Sequence, residues 1–291
     1  MDNFSLQNSF PYIIDETENF AVVFKPPRMH CTSADSSKEK FRKPESNEDK
    51  NGDTLIEWFK KNSASVYDIM HRLDYETHGL VLFAKNEKSF SFFKSAQDND
   101  DFIKEYSAEC IITKNNSINS THSKNIPDFF YLARNSINGF PPSPLFDHKT
   151  SIEKPFVIES YFRPFGQGRK VVRPVTEENK KQKETVKNKG GFYKTEIVGV
   201  NNNIFTVRIK RGFRHQIRCH LFWIGFPILN DPLYFNITSG ETARSNIIKE
   251  NKISCNTNKD VFLALKSHAI FFNDPETGIK REYRIPPLAE N

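Results

Sequence analysis

Apolar residues in this chain come in runs of only a few, most of them β-branched or aromatic and each closed by turn formers. Phe20-Ala-Val-Val-Phe-Lys-Pro26 and Gly79-Leu-Val-Leu-Phe-Ala84 are the clearest. Runs of this length read as strands, and they fall far short of the roughly 18 to 20 apolar residues that span a bilayer. Further strands are expected at Tyr106–Ile112, Phe156–Phe162, Tyr193–Val198 and Ile204–Ile209. Helices are fewer. A short one is expected around Leu55–Phe59, and a second from about Arg214 to Ile224, where Ile217, Leu221 and Ile224 recur at helical spacing. Arg214, His215 and Arg218 would then share an adjacent strip of that helix. The strands therefore make an extensive sheet, and the helices are few.

Three stretches lack the periodicity that would bury a face: about 32–53, 115–125 and the lysine-rich 177–190. They read as polar loops, the last with the alternative role of a basic arm on RNA phosphates. With no internal repeat and no second compositional region, one domain over 1–291 is the economical expectation, its core at about 20–287. The start, Met1 to Phe10, lacks a basic stretch followed by an apolar one, so a cytoplasmic protein without a membrane partner is expected. Cys31, Cys110, Cys219 and Cys255 form no C-x-x-C pair and are expected to be reduced thiols. With 42 Lys+Arg against 36 Asp+Glu the formal charge is +6 and the pI about 9.0, which favours a polyanionic partner without naming one.

Chemistry concentrates in two segments. His71-Arg-Leu-Asp74-Tyr-Glu-Thr77-His-Gly-Leu80 places a carboxylate, a guanidinium, an imidazole and a hydroxyl on a turn that feeds a strand. Arg211-Gly-Phe-Arg-His215-Gln-Ile-Arg218-Cys-His220-Leu supplies further donors for anionic oxygens, and a turn-rich exit, Asn230-Asp-Pro-Leu-Tyr234, follows. Taken alone, Asp74 would read as a turn cap and Arg72 as its neighbour's ion-pair partner.

Together these segments resemble the RluA-type RNA pseudouridine synthases. The first signature of that family, H-R-L-D-x-x-T-S-G-L, is met at His71, Arg72, Leu73, Asp74, Thr77, Gly79 and Leu80, with His78 in place of serine. K-x-Y-x-A is met at Lys104, Tyr106 and Ala108. G-R-x-H-Q-I-R-x-H-L is met at Gly212, His215, Gln216, Ile217, Arg218, His220 and Leu221, with Phe213 in place of arginine. Arg214 carries a charge one position later, about 100° further round a helix. The family's G-D-P-x-Y survives as Asn230-Asp-Pro-Leu-Tyr234, and Lys25-Pro26 and His268-Ala269 match its early K-P and late L-H-A elements.

The resemblance implies the α+β pseudouridine synthase fold, a mixed, largely antiparallel sheet around a catalytic cleft flanked by helices and loops, with which the strand-heavy reading agrees. It also implies isomerisation of a uridine in rRNA or tRNA without metal or organic cofactor, by a monomer that needs no obligate protein partner. Asp74 would be the essential carboxylate, either as nucleophile or as base. Tyr106 would stack on the uracil and assist proton transfer, and Arg218 would pair with Asp74. Arg72 would fill the space of an extruded nucleotide. Arg214 and His215 would contact RNA, and His71, Thr77 and Gln216 would support the loop and helix. Residues 1–20 are too few for a leading RNA-binding domain, so RNA contacts are expected from the catalytic domain. Two other classes compete: an RNA-binding protein that keeps the fold without turnover, motivated by His78, Phe213 and Asn230, and a metallohydrolase built on His71, Asp74 and His215.

Overall fold

The computed structural model describes residues 10–33, 53–111, 140–141, 143–144, 155–177, 192–234 and 262–289. Nearly all of the three expected polar loops, together with Cys255, lies outside the described residues. The chain divides into two compact units, one formed by 1–104 with 266–286 and the other by 105–265 with 287–291.

Unit 1 is a sheet with strands β1 (Tyr12–Glu16), β2 (Phe20–Lys25), β4 (His78–Ala84) and β10 (Leu265–Asn273) in that spatial order. The short β3 (Asp68–Ile69) pairs with β4, and β11 (Lys280–Arg284) pairs with β10. All these pairings are antiparallel except β4 with β10, which run parallel through Lys266 opposite His78 and Ser267 opposite Gly79. Every residue of β2 is buried, and so is all of β4 after His78. Burial on both faces explains why these strands read as unbroken apolar runs. On one face Phe20, Val22, Leu80, Leu82, Ile270 and Phe272 form a core with Phe93 of helix α2 (Glu87–Asp98). On the other, Phe59 of helix α1 (Leu55–Asn62) meets Phe83 with ring centroids 4.5 Å apart.

Both helices begin with side-chain caps. Thr54 and Glu57 satisfy each other's backbone N–H at the start of α1, and Asn86 accepts from the Ser89 N–H at 2.8 Å at the start of α2. Sequence reasoning passed over α2, whose signal is that Asn86 cap followed by buried positions at Ser89, Phe93 and Ala96. It also passed over β1, β3, β10, β11 and the strand at Val171–Val175.

Unit 2 is a sheet whose antiparallel strands run in the order β7 (Val171–Val175), β6 (Phe156–Phe165), β8 (Tyr193–Asn201), β9 (Ile204–Ile209), with β5 (Ile103–Glu109) beside β9. Strand β5 starts three residues before its expected position, because Lys104 and Glu105, charged residues that read as solvated, are each 3% exposed. The late helix α3 (Gln216–Trp223) is buried at every position. It starts two residues after the expected Arg214, since His215 sits at its N-cap with φ 57° in the left-handed region. Arg214 and His215 therefore precede the helix, and the shared strip with Arg218 does not form.

Gly79 shows how tightly β4 and β10 approach. Its φ is +122°, and a Cβ there would lie 2.2 Å from the Ser267 carbonyl oxygen. Any side chain must both force backbone apart and strain a conformation that only glycine adopts readily. Gly79→Ala is expected to cost about 3 kcal/mol or more of stability, read as a shifted midpoint in urea unfolding.

Candidate functional site

Asp74 is held from both sides by residues that precede it by more than forty positions. The Cys31 thiol donates to the Leu73 carbonyl at 3.4 Å and accepts from the Leu73 N–H at 3.3 Å. The fully buried Lys25 ammonium donates to the carbonyls of Pro26 and Met29, both at 2.8 Å, and of Tyr75 at 3.2 Å. Asp74 closes the turn itself, its carbonyl accepting from the Thr77 N–H at 3.1 Å. The backbone is thus fixed immediately before, at and immediately after the carboxylate-bearing residue. Burial pulls the Lys25 amine down to about 8, against the opposing influence of Cys31, Asp74 and Glu76.

His71 sits at the entry to this loop. Its Nε2 accepts the Leu82 N–H at 3.1 Å, which leaves the ring proton on Nδ1, beside Phe102. Burial, with Lys104 nearby, drives its pKa well below the usual imidazole range. Thr77 is buried, and its hydroxyl meets no partner among the described residues. Arg72 projects from the loop as an exposed side chain, while Glu76 approaches Arg28 at 3.7 Å. His78, the departure from serine, packs edge-on to Phe24, and burial together with Lys266 and Lys25 holds it neutral with a pKa of about 3.

In unit 2 the late motif organises α3. Arg218 is 3% exposed and Asp231 1% exposed at their side chains, and they pair through Nε–Oδ2 and Nη2–Oδ1 contacts, both 2.8 Å. Asp231 Oδ1 also accepts from the backbone N–H groups of Leu233 and Tyr234 at 2.9 and 3.0 Å. The Arg218 guanidinium stands 5.6 Å from the centre of the Tyr234 ring. The Tyr234 hydroxyl donates to the Val172 carbonyl and accepts from the Val172 N–H. The Asn-Asp-Pro-Leu-Tyr exit is thus a cradle for Arg218, a partner sequence reasoning did not assign to it. Two of its five N–H donors are taken by Asp231.

Gln216 ties the start of α3 to β8, accepting from the Phe213 N–H at 2.9 Å and donating to the Lys194 carbonyl and the Thr195 hydroxyl. His220 hydrogen-bonds Ser160 at 2.9 Å and Thr195 at 2.7 Å, and burial takes its pKa down to about 3. Tyr106 is buried on β5. Arg214 is exposed and donates to the Arg169 carbonyl at 2.7 Å. His215 packs edge-on to Tyr234.

The two remaining departures have local reasons. Phe213 stacks on Phe162 at 5.1 Å and 12°, with Tyr193 at 5.2 Å, so an aromatic cluster occupies the place of a charge. Asn230 has φ 60°, a region that asparagine tolerates better than other non-glycine residues, and its amide donates to the Phe262 carbonyl. The structure therefore collects His71, Arg72, Asp74 and Thr77 on one loop of unit 1. It places Tyr106, Arg214, His215, Gln216 and Arg218 in unit 2.

Comparison with known proteins places the chain in a family. Residues 19–223 match the RNA pseudouridylate synthase family, and the chain belongs to that family of RNA-modifying isomerases. A Helicobacter pylori protein described as an uncharacterized RNA pseudouridine synthase is 24% identical over 96% of this chain and 67% of its own length. An uncharacterized Caenorhabditis elegans protein is 25% identical over 80% of this chain, which spans 41% of that protein. Among solved structures, human RNA pseudouridylate synthase domain containing 1 superposes with a TM-score of 0.54 at 14% identity, covering 96% of this chain and 84% of that one. Human RNA pseudouridylate synthase domain containing 4 gives a TM-score of 0.53 at 15% identity, covering 95% of this chain and 88% of that one. These likenesses establish the α+β pseudouridine synthase fold. No helix among the described residues is long and apolar enough to cross a membrane.

Two outcomes follow from the buried groups. Asp231→Ala leaves the Arg218 charge buried without this partner, and should destabilise the protein by about 3 to 5 kcal/mol in denaturant unfolding. His71, His78 and His220 are neutral when folded but take up protons when unfolded, so each contributes stability that is complete above about pH 6.5. That stability is lost as pH falls from 6.5 towards about 3 for His78 and His220. Near pH 5 each such histidine should add about 1.4 kcal/mol per pH unit to the slope of unfolding free energy, and His220→Asn should remove one increment.

Proposed function

We propose that this protein converts a specific uridine of structured rRNA or tRNA to pseudouridine in the manner of the RluA-type enzymes, with Asp74 as the essential carboxylate. In the net reaction the N1–C1′ glycosidic bond is exchanged for a C5–C1′ bond, the C5 proton leaves, and N1 takes up a proton. Asp74 serves this exchange either as nucleophile or as the base that draws a proton from the sugar. Tyr106 stacks on the uracil and assists proton transfer at carbon. Arg218 takes the role of the arginine that supports the carboxylate's charge, as the resemblance implies. Arg72, exposed beside Asp74, enters the helix as the target nucleotide swings out.

The observation that carries this reading is the clamping of the Asp74 turn. Three carbonyls engage the Lys25 ammonium, and Cys31 brackets Leu73. An ordinary surface turn has no need of a desolvated cation at its base, whereas a carboxylate that must meet C1′ within a few tenths of an ångström does. Phe213 and Asn230, two of the three departures that motivate a protein without turnover, each have a local structural role, which favours the active reading.

The test is a map of pseudouridine in cells lacking the protein, complemented with wild type or with Asp74→Ala. One or a few sites should vanish, return with wild type and stay absent with the variant, a loss of at least 1,000-fold in single-turnover rate on the identified RNA. Conversion by Asp74→Ala at the wild-type rate would overturn the assignment.

A further inference from the structure

His30 lies outside the signature motifs, yet it stands on the short segment from which Lys25 and Cys31 support the Asp74 turn. Its imidazole meets the Tyr75 ring with centroids 4.6 Å apart and planes at 36°, and Tyr75 directly follows Asp74. Tyr75 is half-buried, whereas His30 is exposed. One side of the imidazole is thus backed by a ring while much of the residue reaches solvent.

The backbone beneath that ring is fixed. The His30 carbonyl accepts from the Leu55 N–H at 2.8 Å and the Cys31 carbonyl from the Ile56 N–H at 3.1 Å, so both residues are docked on the first turn of α1. Those N–H groups have no partner within the helix, and residues 30 and 31 supply one to each. The Met29 carbonyl is held by Lys25, and the Cys31 thiol brackets Leu73. The chain is therefore pinned immediately before, at and immediately after a side chain that faces outward. Such pinning lowers the ordering cost of anything that binds to the ring.

The surrounding charge suits a polyanion. Arg28 and Arg72 are both exposed, and the nearby acid Glu76 is met by Arg28 at 3.7 Å. Burial raises the Cys31 thiol, and Lys25, Arg72 and Asp74 all act on it, which puts these groups in one neighbourhood with the residue that follows His30. A rigidly placed, open ring among cations has the two features that single-stranded RNA recognition uses: a flat platform for an unstacked base and positive charge for the backbone.

We propose that His30, backed by Tyr75, is the stacking platform for an unpaired base that neighbours the target uridine in the RNA. The proposal rests on the reading of Asp74 as the catalytic carboxylate and adds which residue holds the nucleotide beside the target. Because bases inside a duplex are already stacked on one another, a platform of this kind selects loops and bulges.

Fluorescence anisotropy with a labelled stem-loop RNA bearing a uridine-rich loop tests this across a potassium chloride series. His30→Ala should weaken binding roughly tenfold and keep the wild-type slope of log affinity against log salt, because a stacked ring releases no counterions. His30→Phe should restore the affinity. Neither variant should move the midpoint of urea unfolding, since the side chain is exposed. Wild-type affinity in His30→Ala would overturn the proposal, and so would a lowered slope without rescue by phenylalanine, which marks a phosphate contact instead. Should a variant prove unstable, photocrosslinking of the wild type to the same RNA with 4-thiouridine in its loop decides: the peptide containing His30 should be labelled, and labelling confined to other peptides overturns the platform. On the RNA identified by the pseudouridine map, the defect of His30→Ala should lie in KM rather than in kcat. Weakened binding by His30→Ala beside a wild type that converts no uridine defeats the catalytic reading and leaves the stacking site standing. Conversion by the wild type, with His30→Ala binding equally well, defeats the platform alone.

Discussion

A buried ammonium at the end of β2 sets the position of the Asp74 turn in unit 1. Desolvating a lysine is costly unless its three donors are met, and Lys25 meets them with carbonyls from its own strand end, from the following turn and from Tyr75. Because the strand is anchored on both faces of the sheet, the ammonium is a fixed point, and the loop that reaches over to it inherits that rigidity. The prolines at 26 and 27 stop the strand where the ammonium needs its carbonyls. Local sequence, burial and loop geometry are therefore one arrangement.

A corresponding logic holds α3 in unit 2, although the means differ. A helix buried at every position cannot present a conventional polar face, so its charged and polar residues are absorbed by dedicated partners: Asp231 for Arg218, Ser160 and Thr195 for His220, Lys194 and Thr195 for Gln216. Removing water from these pairs makes each contact stiffer and each loss dearer.

Strands were legible where burial on both faces produced unbroken apolar runs, as in β2 and β4, and where β-branched residues clustered, as in β8 and β9. The start of β5 was hidden because its charges are buried and met by partners such as Arg208 for Glu105. The start of α3 was misread because a left-handed residue at His215 leaves no mark in composition. Motif residues were legible by their order along the chain, but their partners were not. Nothing about Asp231 as a residue type foretells that it faces Arg218, and a cysteine reads as an inert packing group until its sulfur is seen bracketing Leu73.

Unit 1 is assembled from both ends of the chain, with β10 and β11 arriving only after residue 265. Ile270 and Phe272 belong to its central core, and Ser267 is the residue on which Gly79 closes. During synthesis, β1, β2 and β4 must therefore wait, partly uncovered, while some 160 intervening residues emerge from the ribosome. Such long-range closure is slow compared with local pairing, so the antiparallel β6–β9 sheet can form first. The close approach of Gly79 to Ser267, and with it the parallel pairing of β4, therefore forms only after residue 267 has emerged.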